Sequence, residues 1–301
     1  MSSERITIDA VRAFLTERYG SRAGAVAELR GGEWSSPFGF RVDGRGLVAR
    51  FGRWRDDFDK DAAAMAFAGP DLPVPRVVEV GAAFDGVYAI SERHFGRFLE
   101  ELDADGFQRV LPALLRALDA MRSVPVPDDA RREPWGDWLR SLLIDHPGAR
   151  VSGWRDKIAA SSELDALFVA GEHAFEDLLG ACPDIHHVVH CDLINRNVLV
   201  AADGTHLEAV FDWGCLAYGD FLYDVAWLTF WAPWHTGLAA TDIRGAVLDH
   251  YAATGVTVER FDERIRCYEV HIGVHHLAYN TFVSGRDEDL AAIASRLHEL
   301  I

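Results

Sequence analysis

The 301-residue sequence predicts an α+β fold in two parts: a small antiparallel β-rich N-terminal lobe with one helix, and a large α-helical C-terminal lobe. Three observations carry this. Apolar residues alternate with period two over residues 25–51 and again in the strands that end near residue 92, whereas from Asp105 onward they recur at three and four. A hydrophobic content of 49%, with 11% aromatic residues, fills the core such a chain needs and excludes a disordered one.

The elements follow in order from the same signals. ITIDAVRAFLTERYG sets Val11, Phe14 and Leu15 on one helical face and stops at Gly20. Residues 25–51 then read as a strand, a Gly/Ser turn at GGEWSS, and two strands joined at Asp43-Gly44, a dipeptide suited to a tight hairpin. An alanine-rich helix is expected at about 57–69, with strands after it in LPVPRVVEVG and GVYAISER. Helical spacing then runs through Phe107, Leu111, Leu114, Leu118 and Met121, and later through Leu164, Leu167, Phe168, Phe175 and Leu178. Strand-like VVH, NVLV and HLEAVFDW interrupt the helices once, with a turn at Asp203-Gly204, before helices resume. The division falls at Glu92-Arg93-His94-Phe95-Gly96, which gives an N-terminal lobe of residues 1–95 and a C-terminal lobe of 96–301.

The net charge of −17 is concentrated: residues 1–95 carry 13 basic against 14 acidic side chains, the remainder 17 against 33. Such a field opposes nucleic acid and anionic membranes and concentrates a cationic ligand. No basic, apolar leader and no run of ~18 apolar residues is visible, so a soluble, cytoplasmic protein, off the membrane and monomeric, is expected. Cys182, Cys191, Cys215 and Cys267 lack CxxC spacing and read as reduced thiols. Cys182, His186, His190 and Cys191 lack the close paired spacing of a structural zinc site. His271, His275 and His276 lack the glutamate of HExxH and read as core or substrate-pocket histidines.

The chemistry is concentrated in VVHCDLINRNVLV, residues 188–200. Asp192 follows His190 by two and Asn197 follows Asp192 by five, while Asp212 ends the strand EAVFD that a hairpin returns to the same rim. A carboxylate there can accept a hydroxyl proton as its oxygen attacks phosphorus, and an amide with a second carboxylate can give oxygen ligands to Mg²⁺. The constellation suits phosphoryl transfer.

These residues resemble those of the aminoglycoside phosphotransferase family. HCDLINRN resembles its HxDxxxxN catalytic loop, VFDWG its metal-binding aspartate, and YGDFLYDVA the segment that follows; GGEWSSPFGFRVDGRGLVARF, DLPVPRVVEVG and FWAPW bring the hygromycin B type nearest. The resemblance implies a bilobal protein-kinase-like fold and transfer of the γ-phosphoryl of ATP or GTP to a hydroxyl of a cationic, aminoglycoside-like antibiotic, with resistance or self-protection as the outcome. Another sugar-containing or nucleoside antibiotic or metabolite is the alternative acceptor, and a catalytically inactive nucleotide-binding pseudokinase the alternative class. Carried over by position, Asp192 would be the base, Asn197 and Asp212 the Mg²⁺ ligands, His190 an orienting residue and Asp224 a support for loop backbone. Arg93, His94 and Phe95 would hold the nucleotide base through backbone groups.

Two places depart from the kinase pattern. The third-strand lysine is replaced by Arg50, and the next helix offers Asp57, Asp59 and Asp61 in place of a glutamate, so Arg50 paired with one of these aspartates is expected to hold the phosphates. The turn GGEWSS is not GxGxxG; Gly31 and Gly32 permit close approach and Ser35 and Ser36 offer donors. Trp231 and Trp234 are expected to wall a sugar ring, and Asp220 and Glu269 to face substrate amines.

Overall fold

The computed structural model describes residues 6–131, 133–283 and 286–301. In chain order it runs α1 (Ile8–Tyr19), β1 (Ala23–Glu28), β2 (Ser35–Val42), β3 (Arg45–Gly52), α2 (Arg55–Ala64), β4 (Val77–Ala83), β5 (Gly86–Glu92), β6 (Arg97–Phe98) and α3 (Ala104–Arg122). There follow α4 (Trp135–Ser141), α5 (Arg155–Ala159), α6 (Ser162–Leu179), β7 (His187–Val189), β8 (Val198–Val200), β9 (Leu207–Val210) and β10 (Ala217–Gly219). The chain closes with α7 (Leu222–Trp231), α8 (Thr236–Ala239), α9 (Ile243–Ala253), α10 (Phe261–Phe282) and α11 (Asp287–Leu300). No helix among the described residues is long and apolar enough to cross a membrane.

The residues group into two compact units. The first takes the chain up to Leu99 together with Arg109–Ala120 and Asn195–Leu216; the second takes Glu100–Gln108, Met121–Ile194 and Ala217–Ile301. The late segment 195–216 thus belongs to the same unit as the N-terminal sheet.

In the first unit an antiparallel sheet runs β1-β2-β3-β5-β4. The hairpin between β2 and β3 turns on Asp43 and Gly44, both at positive φ (49° and 83°), the backbone that a two-residue type I′ turn demands. Alternate residues Phe38, Phe40, Leu47, Ala49 and Phe51 face one side and bury against Val11 and Leu15 of α1, with Tyr88 and Ile90. α1 is capped by Thr7, whose side chain accepts the Ala10 N–H, and its end is closed by Gly20 at φ 60°. The helix expected at 57–69 starts at Arg55, stops at Ala64 and tightens into a 3₁₀ turn over Met65–Phe67, because Gly69-Pro70 cannot continue it. A second small sheet in this unit runs β6-β8-β9.

In the second unit, α10 is buried along nearly its whole length and packs against α6, α7 and α11. Val188 and Val189 of VVH form β7 together with His187, and β7 pairs with β10, whereas NVLV pairs with β9. The strand stops at Val189 because Cys191 turns to φ 62°, so His190 and Cys191 stand in a loop.

Candidate active site

The first unit encloses a cavity of about 450 Å³. Gly31, Gly32, Ser35, Arg50, Arg93, His94, Phe95, Asn197 and Asp212 all line it; Ser36 does not. Ser36 is the next residue of β2 after Ser35, so its side chain points to the other face of the strand. A β-carbon on Gly31 would run into Pro37 and the Ser35 carbonyl, which is why this turn opens on glycine.

Arg50 sits on β3, opposite Pro37 on one side and Ala89 on the other. Of the three aspartates offered by α2, Asp61 is its partner. The guanidinium binds Asp61 through Nη2, reaches Asp212 Oδ1 at 3.0 Å through Nη1, and lies 5.0 Å from the centre of the Phe58 ring. The other Asp61 oxygen accepts the main-chain N–H of Trp213 at 2.7 Å. One residue earlier, Lys60 Nζ donates to the carbonyl of Gly214 at 3.0 Å. Consecutive side chains of α2 thereby grip both polarities of the backbone that follows Asp212.

That backbone needs holding, since Asp212 adopts φ 63°, ψ 60°, an uncommon conformation for a residue with a β-carbon. Asn197 and Asp212 come to one rim through the β8–β9 hairpin: Val198 pairs with Val210, and the Phe211 N–H donates to the Asn197 carbonyl at 3.0 Å. The Asn197 side chain is buried, whereas that of Asp212 is 44% exposed. Arg196, at φ 62°, lays its guanidinium over Phe98 at 4.2 Å. Among the described residues no three His, Cys, Asp or Glu side chains converge as metal ligands. The oxygen donors of Asn197 and Asp212 suit a hard divalent cation that takes its remaining ligands from phosphate and water.

After β5, the Arg93 N–H donates to the Gly46 carbonyl at 3.1 Å and the Arg93 guanidinium lies 4.8 Å from the centre of the Phe95 ring. His94 Nδ1 lies 3.0 Å from Glu208 of β9. Lys60, Glu208 and the Trp213 N–H escaped the sequence reading. Only Lys60 left a signal, as one of two lysines in a chain that otherwise uses arginine.

In the second unit, Asp224 on the first turn of α7 is buried and accepts the main-chain N–H groups of His190 at 2.8 Å and Cys191 at 2.9 Å. Burial drives its carboxyl up to about 7, against the pull of those two hydrogen bonds. His190 is itself fully buried, and Asp192 follows it in the same loop, three residues ahead of Asn195. The two candidate substrate acids need correction. Asp220 is fully buried, its oxygens taken by Arg264 at 2.5 and 2.8 Å and by the Tyr268 hydroxyl at 2.6 Å. Glu269 is 1% exposed and tied to Arg244 at 2.7 Å, so neither carboxylate is presented to an incoming amine. Trp234 is 39% exposed and packs 5.3 Å from the half-buried Trp231, an arrangement open on one side. His271 is a core residue held between the Tyr223 hydroxyl and the Leu139 carbonyl, each at 3.0 Å, and burial pushes it down to about 3.

A family model described as the phosphotransferase enzyme family matches residues 27–256. Hygromycin-B 4-O-kinase of Escherichia coli is 29% identical over 318 aligned positions, which cover 100% of this chain and 87% of that one. A thermostable mutant of aminoglycoside phosphotransferase APH(4)-Ia, solved as a ternary complex with AMP-PNP and hygromycin B, superposes with a TM-score of 0.80 at 26% identity, over 97% of each chain. Spectinomycin phosphotransferase APH(9)-Ia, solved with ADP and spectinomycin, shares the fold at a TM-score of 0.67 and 12% identity, over 98% of this chain and 95% of its own. The phosphotransfer constellation sits on the fold of these kinases, and the family model spans well over half of the sequence: the chain belongs to the phosphotransferase enzyme family.

Proposed function

We propose that the enzyme transfers the γ-phosphoryl group of ATP or GTP to a hydroxyl of a cationic aminoglycoside of the hygromycin B type, and so inactivates the drug. The single observation that carries the reading is that Arg50, Asn197 and Asp212 line one cavity, with the Gly31-Gly32 turn beside them. Residues 1–95 act as the nucleotide-binding lobe and 96–301 as the catalytic and substrate-binding lobe.

In this mechanism the base of the nucleotide rests against the backbone at Arg93, His94 and Phe95, and Arg50, anchored by Asp61, holds phosphate oxygens. Asn197 and Asp212 hold Mg²⁺, which supplies charge neutralisation at the phosphates when bound. Asp192 accepts the proton of the substrate hydroxyl as its oxygen bonds to the γ-phosphorus and the bond to the β–γ bridging oxygen breaks, releasing the nucleoside diphosphate. Asp224 fixes the backbone ahead of Asp192, and Trp231 with Trp234 walls the sugar. The acidic excess beyond residue 95 favours a cationic acceptor.

The test is a panel of phosphate acceptors, namely hygromycin B, other aminoglycosides, neutral sugar-containing antibiotics and nucleosides, each with ATP and with GTP. Phosphorylation of hygromycin B, lost in Asp192→Ala, is the expected result. Phosphorylation of neutral acceptors alone would overturn the substrate class, and turnover that survives Asp192→Ala would overturn the base. Nucleotide binding without turnover on any acceptor would favour a pseudokinase, a reading the intact Arg50–Asp61 pair opposes.

A further inference from the structure

The two arms of Arg50 end in different surroundings. The Nη2 arm meets Asp61, whose side chain is 12% exposed and is pinned from its other oxygen by the Trp213 N–H. The Nη1 arm meets Asp212, whose side chain is 44% exposed. One contact is built in; the other is made to a carboxylate open to exchange. A lysine would have to serve both acids from one nitrogen, whereas the guanidinium divides them between two arms, so that one can leave while the other stays.

We infer that Arg50 is an exchange cation: its Nη1 arm occupies Asp212 until a metal–nucleotide complex arrives, and then passes to a phosphate oxygen as the metal takes the carboxylate. The inference rests on the reading of Asp212 as a metal ligand. A divalent cation alone would have to displace the guanidinium and settle beside a positive charge with no new partner for it, whereas the nucleotide brings that partner. Metal and nucleotide therefore bind together, and the bare cation is discriminated against on the order of tenfold by like-charge repulsion at a half-exposed site.

Mn²⁺ binding to the full-length protein, followed by the paramagnetic resonance of the free ion, tests this with and without a non-hydrolysable nucleotide. Without nucleotide, Arg50→Gln should bind Mn²⁺ about tenfold more tightly than the parent. Arg50→Lys, which keeps a partner for Asp61 and guards against misfolding, should show a smaller gain. With nucleotide, both variants should bind the metal more weakly than the parent. Unchanged or weaker affinity for the bare ion in both variants overturns the exchange role. Asp212→Asn separates the two ideas: if it leaves Mn²⁺ binding with nucleotide intact, the metal assignment itself is wrong.

Discussion

Asp61 and Trp213 are joined by a 2.7 Å hydrogen bond from the Trp213 main-chain N–H to Asp61 Oδ1, and the second oxygen of the same carboxylate holds Arg50. A single side chain of α2 thus ties the cation on β3 to the backbone that sets Asp212. Asp61 thereby links the guanidinium of Arg50 to the main chain beside Asp212.

Asp61→Asn should disturb both partners, because an amide offers one acceptor where two are used, and it leaves Arg50 with a weakened counter-charge. We expect a loss of about 2 kcal/mol in stability, below the cost of breaking a fully buried pair because these side chains retain some exposure. The KM for nucleotide should rise on the order of tenfold, more than kcat falls, if Arg50 holds phosphate as proposed, because Asp61 is its anchor. Denaturant unfolding and nucleotide-saturation kinetics check the two parts, and an unaltered nucleotide KM would remove Asp61 from the site.

Lys60 supports the same backbone from the other polarity. Lys60→Met keeps the aliphatic stem but removes the donor to the Gly214 carbonyl. The expected cost is about 1 kcal/mol of stability, the net worth of one part-buried hydrogen bond. A melting-temperature comparison with the parent measures it, and a variant as stable as the parent would show that water replaces the lysine.

The elements of this fold were legible because their signals are local. Asp43-Gly44 names its own turn, and the period change after residue 92 separates sheet from helices. That Asn197 and Asp212 meet was legible for a similar reason: Asp212 returns on a short hairpin, and the polar cluster of His190, Asp192 and Asn197 is close in sequence. What escaped depends on side chains meeting across long stretches of chain. That Asp61, rather than Asp57 or Asp59, takes Arg50 is decided by the rotation of α2 against β3. Asp220 read as a free acid because its partner Arg264 lies 44 residues away, and only the fold brings that guanidinium onto it. Likewise the sequence offered no partner for β7, because the turn at Cys191 sends the chain away and β7 pairs with β10, a strand 30 residues downstream.

Asp224 carries a pH signature. Its carboxyl titrates near 7 in the fold against an ordinary 3.8, so the folded protein takes up a proton on this group between those values. Stability from this source is fully present below about 4 and is lost as pH rises through about 7, by an amount on the order of a few kcal/mol. Protonation also weakens the acceptor for the His190 and Cys191 amides, so activity should fall on the acid side of neutrality. Asp224→Asn should remove this stability slope, measured by denaturant unfolding between pH 4 and 8. It should also lower kcat on the order of 10- to 100-fold by displacing the loop that carries Asp192.

His271 has the opposite sign. Burial holds it down to about 3 in the fold, whereas the unfolded chain takes up its proton near 6.5, so its contribution is complete above that value and is lost as pH falls from 6.5 toward 3. The slope from one such group is at most about 1.4 kcal/mol per pH unit. His271→Gln keeps a polar side chain near the Tyr223 hydroxyl and the Leu139 carbonyl but cannot titrate, so it should be less stable than the parent at pH 7 and lose less on acidification. Unfolding curves at pH 7, 6, 5 and 4 give the comparison. With Asp224→Asn the acid limb should steepen, and with His271→Gln it should flatten; if both variants moved the limb the same way, one of the two buried groups would be in the other protonation state.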